Sequence, residues 1–258
     1  GTGEILRIGA DGTLRDVWTG INARALAAAP DGTLWAAVWP KELRHLDATG
    51  ATTATAAVTG NVALRGVAVD AAQAWIAHGS AIARFSLAGV QQGQTLLPGV
   101  AGAVAKDRAT GALWAVAGNR VVKLSAAGAI QRTSPVLSPF AENPYARLAV
   151  APDGSVWVTH DQLSTVTRLN PDGTIAARRK LLGVPMDVAI AADGMVTTFA
   201  GSDKGFADGP LAEAKFDTPR GLARAADGSL FVADTGNHRI RKIKDGVVST
   251  IAGGAEGD

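Results

Sequence analysis

The chain has 258 residues, enough for one large all-β domain or two small ones, with a formal net charge of +2. Near-neutral charge and the lack of any long run of like charges argue against nucleic acid as a partner. There is no cysteine, which excludes disulfides and thiolate metal sites, and no apolar run approaches the ~18 residues of a membrane-spanning helix.

Taken in order, residues 4–19 (EILRIGADGTLRDVWT) read as two strands around Asp11-Gly12. The chain thus opens halfway through a repeating unit, and residues 1–20 lack the charged-then-apolar order of a secretory leader. Four segments follow, at about 21–60, 61–99, 100–140 and 141–183. Each holds four short strand-like runs, as TLWAAVW and ELRHL are in the first segment. Trp35, Trp75, Trp114 and Trp157 recur at spacings of 40, 39 and 43, always in the second run. Four strands in roughly 40 residues is the size of one propeller blade. An aromatic at one strand position per blade belongs in the core between blades, so these Trp residues are expected to be buried.

The pattern breaks after residue 183. Val184–Ile190 starts a fifth blade, but Met195–Gly201 matches the fourth strand Val247–Gly253 rather than a second strand. The fifth blade, at 184–216, is therefore expected to be truncated, and the sixth, at 217–258, complete. The sixth contains GLARA, SLFVAD, RIRKI and VVSTIAG, separated by Asp227-Gly228, Thr235-Gly236-Asn237 and Asp245-Gly246. Its basic residues Arg239, Arg241, Lys242 and Lys244 read as a solvated outer strand.

Within this last segment, Val232-Ala233-Asp234-Thr235-Gly236-Asn237-His238-Arg239-Ile240-Arg241-Lys242-Ile243 resembles the central signature of an NHL repeat. Gly205–Gly209 and Pro219–Ala223 are similar to the approach to such a repeat. The openings Asp31–Trp35 and Asp153–Trp157, and the run Val166–Gly173, resemble the streptogramin lyase branch of the same propeller group. The resemblance implies an all-β propeller of four-stranded antiparallel blades, commonly six, with five, seven or an irregular closure as alternatives. The repeat array argues for a single domain over residues 1–258; the sequence leaves the compartment open, and the resemblance favours a periplasmic or extracellular setting. It does not fix an activity, because such propellers include lyases, lactonases and pure binding modules.

Candidate site residues come from aligning the blades. Three positions past the second-strand Trp, or its equivalent, stand Val38, His78, Ala117, His160 and Asp234. At the starts of the first strands stand Arg24, Arg65, Arg147 and Arg220, with Asp187 in the fifth blade. Strand-two ends and strand-one starts share a face of a propeller, so these residues are expected around one mouth of the channel. His78 and His160 are the acid/base candidates, since imidazole titrates near neutral pH. Arg24, Arg65, Arg147, Arg220, Asp187 and Asp234 are the ligand-binding candidates, since guanidinium pairs well with carboxylate and phosphate. Asp234 also reads as an Asx turn, His238 and Arg239 as scaffolding, and His45 as exposed.

Streptogramin-type lyases use a His, a Glu and a divalent metal. The five Glu here (4, 42, 142, 213 and 256) include none at a strand end matching that role, and no metal ligand is assigned. The reading is a binding module presenting one face to a protein partner or a small anionic ligand. The alternative is a metal-assisted lyase or hydrolase at the same mouth, with a divalent metal in the channel.

Overall fold

The computed structural model describes residues 4–8, 14–58, 63–140, 146–180, 188, 204–225 and 227–254. These residues are all-β, relieved by two single-turn 3-10 segments at Asp161–Leu163 and Thr235–Asn237. They divide into two compact units.

An opening hairpin, β1 (Glu4–Ile8) and β2 (Leu14–Thr19), lies largely in the second unit. The first unit holds four antiparallel blades. Blade one is β3 (Ala23–Ala28), β4 (Leu34–Val38), β5 (Glu42–Leu46) and β6 (Thr52–Ala57). Blade two is β7 (Leu64–Val69), β8 (Gln73–His78), β9 (Ala81–Ser86) and β10 (Gln91–Leu96). Blade three is β11 (Ala101–Lys106), β12 (Leu113–Ala117), β13 (Arg120–Leu124) and β14 (Ile130–Thr133). Blade four is β15 (Leu148–Val150), β16 (Val156–His160), β17 (Thr165–Leu169) and β18 (Ile175–Lys180). Each blade pairs its strands in chain order, so every connection is a hairpin.

Burial grades across each blade. The second strands are buried on both faces, as Leu113–Ala117 is throughout. The fourth strands β14 and β18 are exposed at every position. In blades two and three the two buried faces reflect a neighbouring blade on each side. Trp35 accordingly packs with Ala74 and Ile76 of blade two, Trp75 with Leu113 and Ala115 of blade three, and Trp114 with Val156 and Val158 of blade four. Trp35, Trp75 and Trp114 have no exposure, as the repeat predicts, whereas Trp157 is only half-buried. The alanines of these strands let the sheets approach closely. Gly66 marks one close approach: a Cβ there would sit 2.9 Å from the carbonyl oxygen of Gly102 in the next blade's first strand.

The third strand places a partner opposite each of these aromatic residues: Trp75 faces Arg84, Trp114 faces Lys123 and Trp157 faces Arg168. Their cations lie 5.2–5.8 Å from the indole centroids, within cation–π range. Blade one substitutes His45, which is not exposed as expected. It stacks flat on Trp35 at 4.6 Å, held by hydrogen bonds with Thr33 Oγ1 and Thr53 Oγ1.

The second unit contains a five-stranded antiparallel sheet. Its strands are β19 (Gly209–Pro210), β20 (Pro219–Arg224), β21 (Leu230–Asp234), β22 (Arg239–Lys244) and β23 (Val247–Gly253). The order is β19-β23-β22-β21-β20, so a short strand from before the repeat pairs with the blade's fourth strand. Five blades are thus present among the described residues, where the sequence predicts six. Of the truncated blade expected over 184–216, residues 184–203 lie outside the described residues, Val188 apart, and the described part contributes β19.

β22 corrects one expectation. It is not a solvated strand: Arg241 is fully buried and Lys242 nearly so. Arg241 donates to Asp234 Oδ2 at 2.6 Å, to Asp208 Oδ1 at 2.7 Å and to the carbonyls of Ala207 and Lys215. Phe206 and Phe216 each place a ring centroid 4.9 Å from its guanidinium carbon. Its charge is therefore balanced by two carboxylates, which makes burial tolerable.

Candidate functional site

In the first unit, three first-strand starts bring an arginine to one cleft of about 350 Å³, lined by Arg24, Arg65 and Arg147. Its apolar wall comes from Val38, Trp39 and Pro40 of blade one and Ala63 and Leu64 of blade two. No acidic residue lines it among the described residues.

A recurring backbone device displays two of these arginines. In blade one Ala23 faces Val38 and Ala25 faces Ala37, so the register skips Arg24. In blade two Leu64 faces His78 and Gly66 faces Ala77, so it skips Arg65. Each arginine is the extra residue of a β-bulge, which bends the strand and re-aims a side chain. Arg220 holds the same place in the second unit, between Pro219 opposite Asp234 and Gly221 opposite Ala233. Arg147 precedes β15, where its backbone N–H donates to Thr159 Oγ1 at 2.9 Å and its carbonyl accepts from the Thr159 N–H at 2.9 Å.

Trp39 completes the cleft. Its backbone N–H donates to the Asn22 carbonyl at 2.9 Å, pinning the end of β4 beside the start of β3. The guanidinium of Arg24 lies 5.2 Å from its ring centroid. Trp39 was not singled out from the sequence. Its signal is that it stands off the once-per-blade position, four residues after Trp35.

None of the other predicted site residues that are described is among those lining the arginine cleft. His78 and His160 do sit at second-strand ends, but both are buried and neither is among the residues lining the arginine cleft. Burial holds the His78 imidazole below its ordinary pKa of 6.5, which favours the neutral ring. His160 Nε2 lies 3.0 Å from Thr167 Oγ1, beside a small void shared with Asn119, Arg120 and Ser138. Asp234, a ligand-binding candidate from the sequence, makes bracing contacts. Its Oδ1 accepts from the Asp217 N–H at 2.7 Å, and its Oδ2 from Arg241 and Asn237. It is fully buried with both oxygens committed, and its contacts reach far beyond a local Asx turn. Arg220 is exposed in the second unit, and Asp187 lies outside the described residues. His238 caps its 3-10 turn in the left-handed region, in keeping with a scaffolding role.

A metal-assisted chemistry needs three or more convergent oxygen or imidazole donors. Among the described residues no such group of His, Asp or Glu comes together, so no step through a metal is assigned. No helix of the described residues is long and apolar enough to cross a membrane.

Comparison with known proteins agrees with this architecture. The NHL repeat model matches residues 216–243. Virginiamycin B lyase of Nocardia farcinica (strain IFM 10152) is 34% identical over 142 residues, which are 51% of this chain and 47% of that protein. The chain thus spans about half the length of that relative. A functionally unknown protein from Desulfotomaculum acetoxidans DSM 771 superposes with a TM-score of 0.74 at 14% identity, covering 97% of this chain and 92% of that one. A catalytically inactive virginiamycin B lyase from Staphylococcus aureus, crystallised with quinupristin, gives 0.66 at 13% identity, covering 97% and 88%. At such identities the structural likeness is one of fold. The chain is a β-propeller that carries an NHL repeat in its last blade and resembles a virginiamycin B lyase over half its length.

Proposed function

We propose that this propeller is a binding module whose first unit takes a small anionic ligand between Arg24, Arg65 and Arg147. The observation that carries the reading is three arginines from three blades lining one cleft without a lining carboxylate among the described residues. Charge-assisted hydrogen bonds to such an anion contribute about 1.5–3 kcal/mol each. The cleft lies at the small end of the range of ligand pockets, roughly 300–1,000 Å³.

Calorimetric titration with phosphate, sulfate and acetate tests the reading. The wild-type chain should bind at least one of them, and Arg65→Ala should weaken that binding roughly tenfold or more. The melting temperature of Arg24→Ala and Arg65→Ala should stay close to that of the wild type, because bulge residues stand outside the core. Absence of anion binding by the wild type, or unfolding of both variants, overturns the reading.

A further inference from the structure

The three core tryptophans show what packing does with indole in this fold: Trp35, Trp75 and Trp114 have no exposure at all. Trp39 is 53% exposed, and what it faces is the cleft rather than a neighbouring sheet. Arg24 extends over its ring, and Leu64 and Ala63 stand on the opposite blade. Isolated exposed aromatics are common on protein surfaces. This one forms a wall of a concave site whose charged lining side chains, among the described residues, are arginines.

We infer that the ligand is an aromatic anion, with its charged head held by Arg65 and Arg147 and its ring laid against Trp39. This rests on the anion-binding reading above and adds the class of ligand. Aromatic rings prefer offset-stacked or edge-to-face contact with one another, and a guanidinium packs favourably on a π face. A ligand ring entering beside Trp39 therefore meets both an indole and the Arg24 guanidinium, which a bare anion uses far less. The cleft of about 350 Å³ has room for one or two rings with a head group. The head group is a carboxylate or a phosphate ester, since both suit a guanidinium fork.

The test compares matched probes on the same chain: benzoate with acetate, phenyl phosphate with inorganic phosphate, and benzoate with cyclohexanecarboxylate. The aromatic member should bind at least tenfold more tightly in the first two pairs and several-fold more tightly in the third. The stronger of benzoate and phenyl phosphate assigns the head group, and either result supports the proposal. Trp39→Ala should remove the aromatic advantage, bringing each aromatic probe to the affinity of its bare partner, with Trp39→Phe restoring most of it. Arg65→Ala should weaken every probe. Equal affinity for aromatic and bare anions overturns this inference and leaves anion binding standing. Equal affinity for benzoate and cyclohexanecarboxylate overturns the aromatic claim. If no anion binds, the underlying reading falls and this one with it.

Discussion

Charge is placed in two opposite ways in this chain. Arg241 is sealed from water with Asp234, whereas Arg24 stands exposed at a cleft. A buried ion pair is costly to break from one side, because the partner left behind has no solvent, at about 3–5 kcal/mol. Asp234→Ala should therefore lower the urea midpoint sharply. Adding Arg241→Met should recover part of that loss, and the non-additivity is the signature of the pair. His78 contributes a second residue-level effect. Its folded pKa lies below 6.5, so the unfolded chain takes up the proton first as pH falls. Stability should then fall as pH drops from 6.5 toward the folded pKa, with no such dependence above 6.5. Urea titrations at pH 7 and pH 5 should show this slope, and His78→Gln should flatten it.

At the scale of elements, each blade is a hairpin series whose turns are clamped by an aspartate. Asp31, Asp47 and Asp172 accept from the hydroxyl and backbone N–H of Thr33, Thr49 and Thr174, and Asp153 does the same with Ser155. Those hydrogen bonds hold the four carboxyl groups below their ordinary value of 3.8. Their stabilising contribution is complete above 3.8 and disappears as pH falls through the folded values. Acid unfolding should therefore set in below about pH 4, and Thr33→Ala combined with Thr174→Ala should make that limb shallower. Blade spacing makes a separate prediction. Gly66→Ala forces a methyl toward the Gly102 carbonyl and Val104, and overpacking of this kind costs about 1–3 kcal/mol by chemical denaturation. The bulges at these strand starts were not legible in the sequence. In Ala-rich strands one extra residue barely disturbs the alternation of apolar and polar positions, so ARALAA reads equally well with or without it.

For the whole molecule, the propeller was legible because one large aromatic per blade has to fill the space between sheets, and 40-residue spacing records that need. Its basic last blade was misread because strand composition does not reveal counter-charges. Asp208 and Asp234 come from separate segments and meet Arg241 only after folding. Trp39 escaped notice for the opposite reason, since a search for periodicity passes over residues off the period. The skipped-register arginines carry a consequence for how such a protein changes over time. A residue outside the ladder's pairing can be exchanged without asking the core for permission. Ligand preference and folding are then separable traits, written in different positions. Arg24→Glu with Arg65→Glu should give a chain with the same circular dichroism spectrum and a cleft that rejects anions and admits cations. A scaffold of this kind can be re-addressed to new ligands by single substitutions at its strand starts, while its tryptophan-filled seams stay as they are.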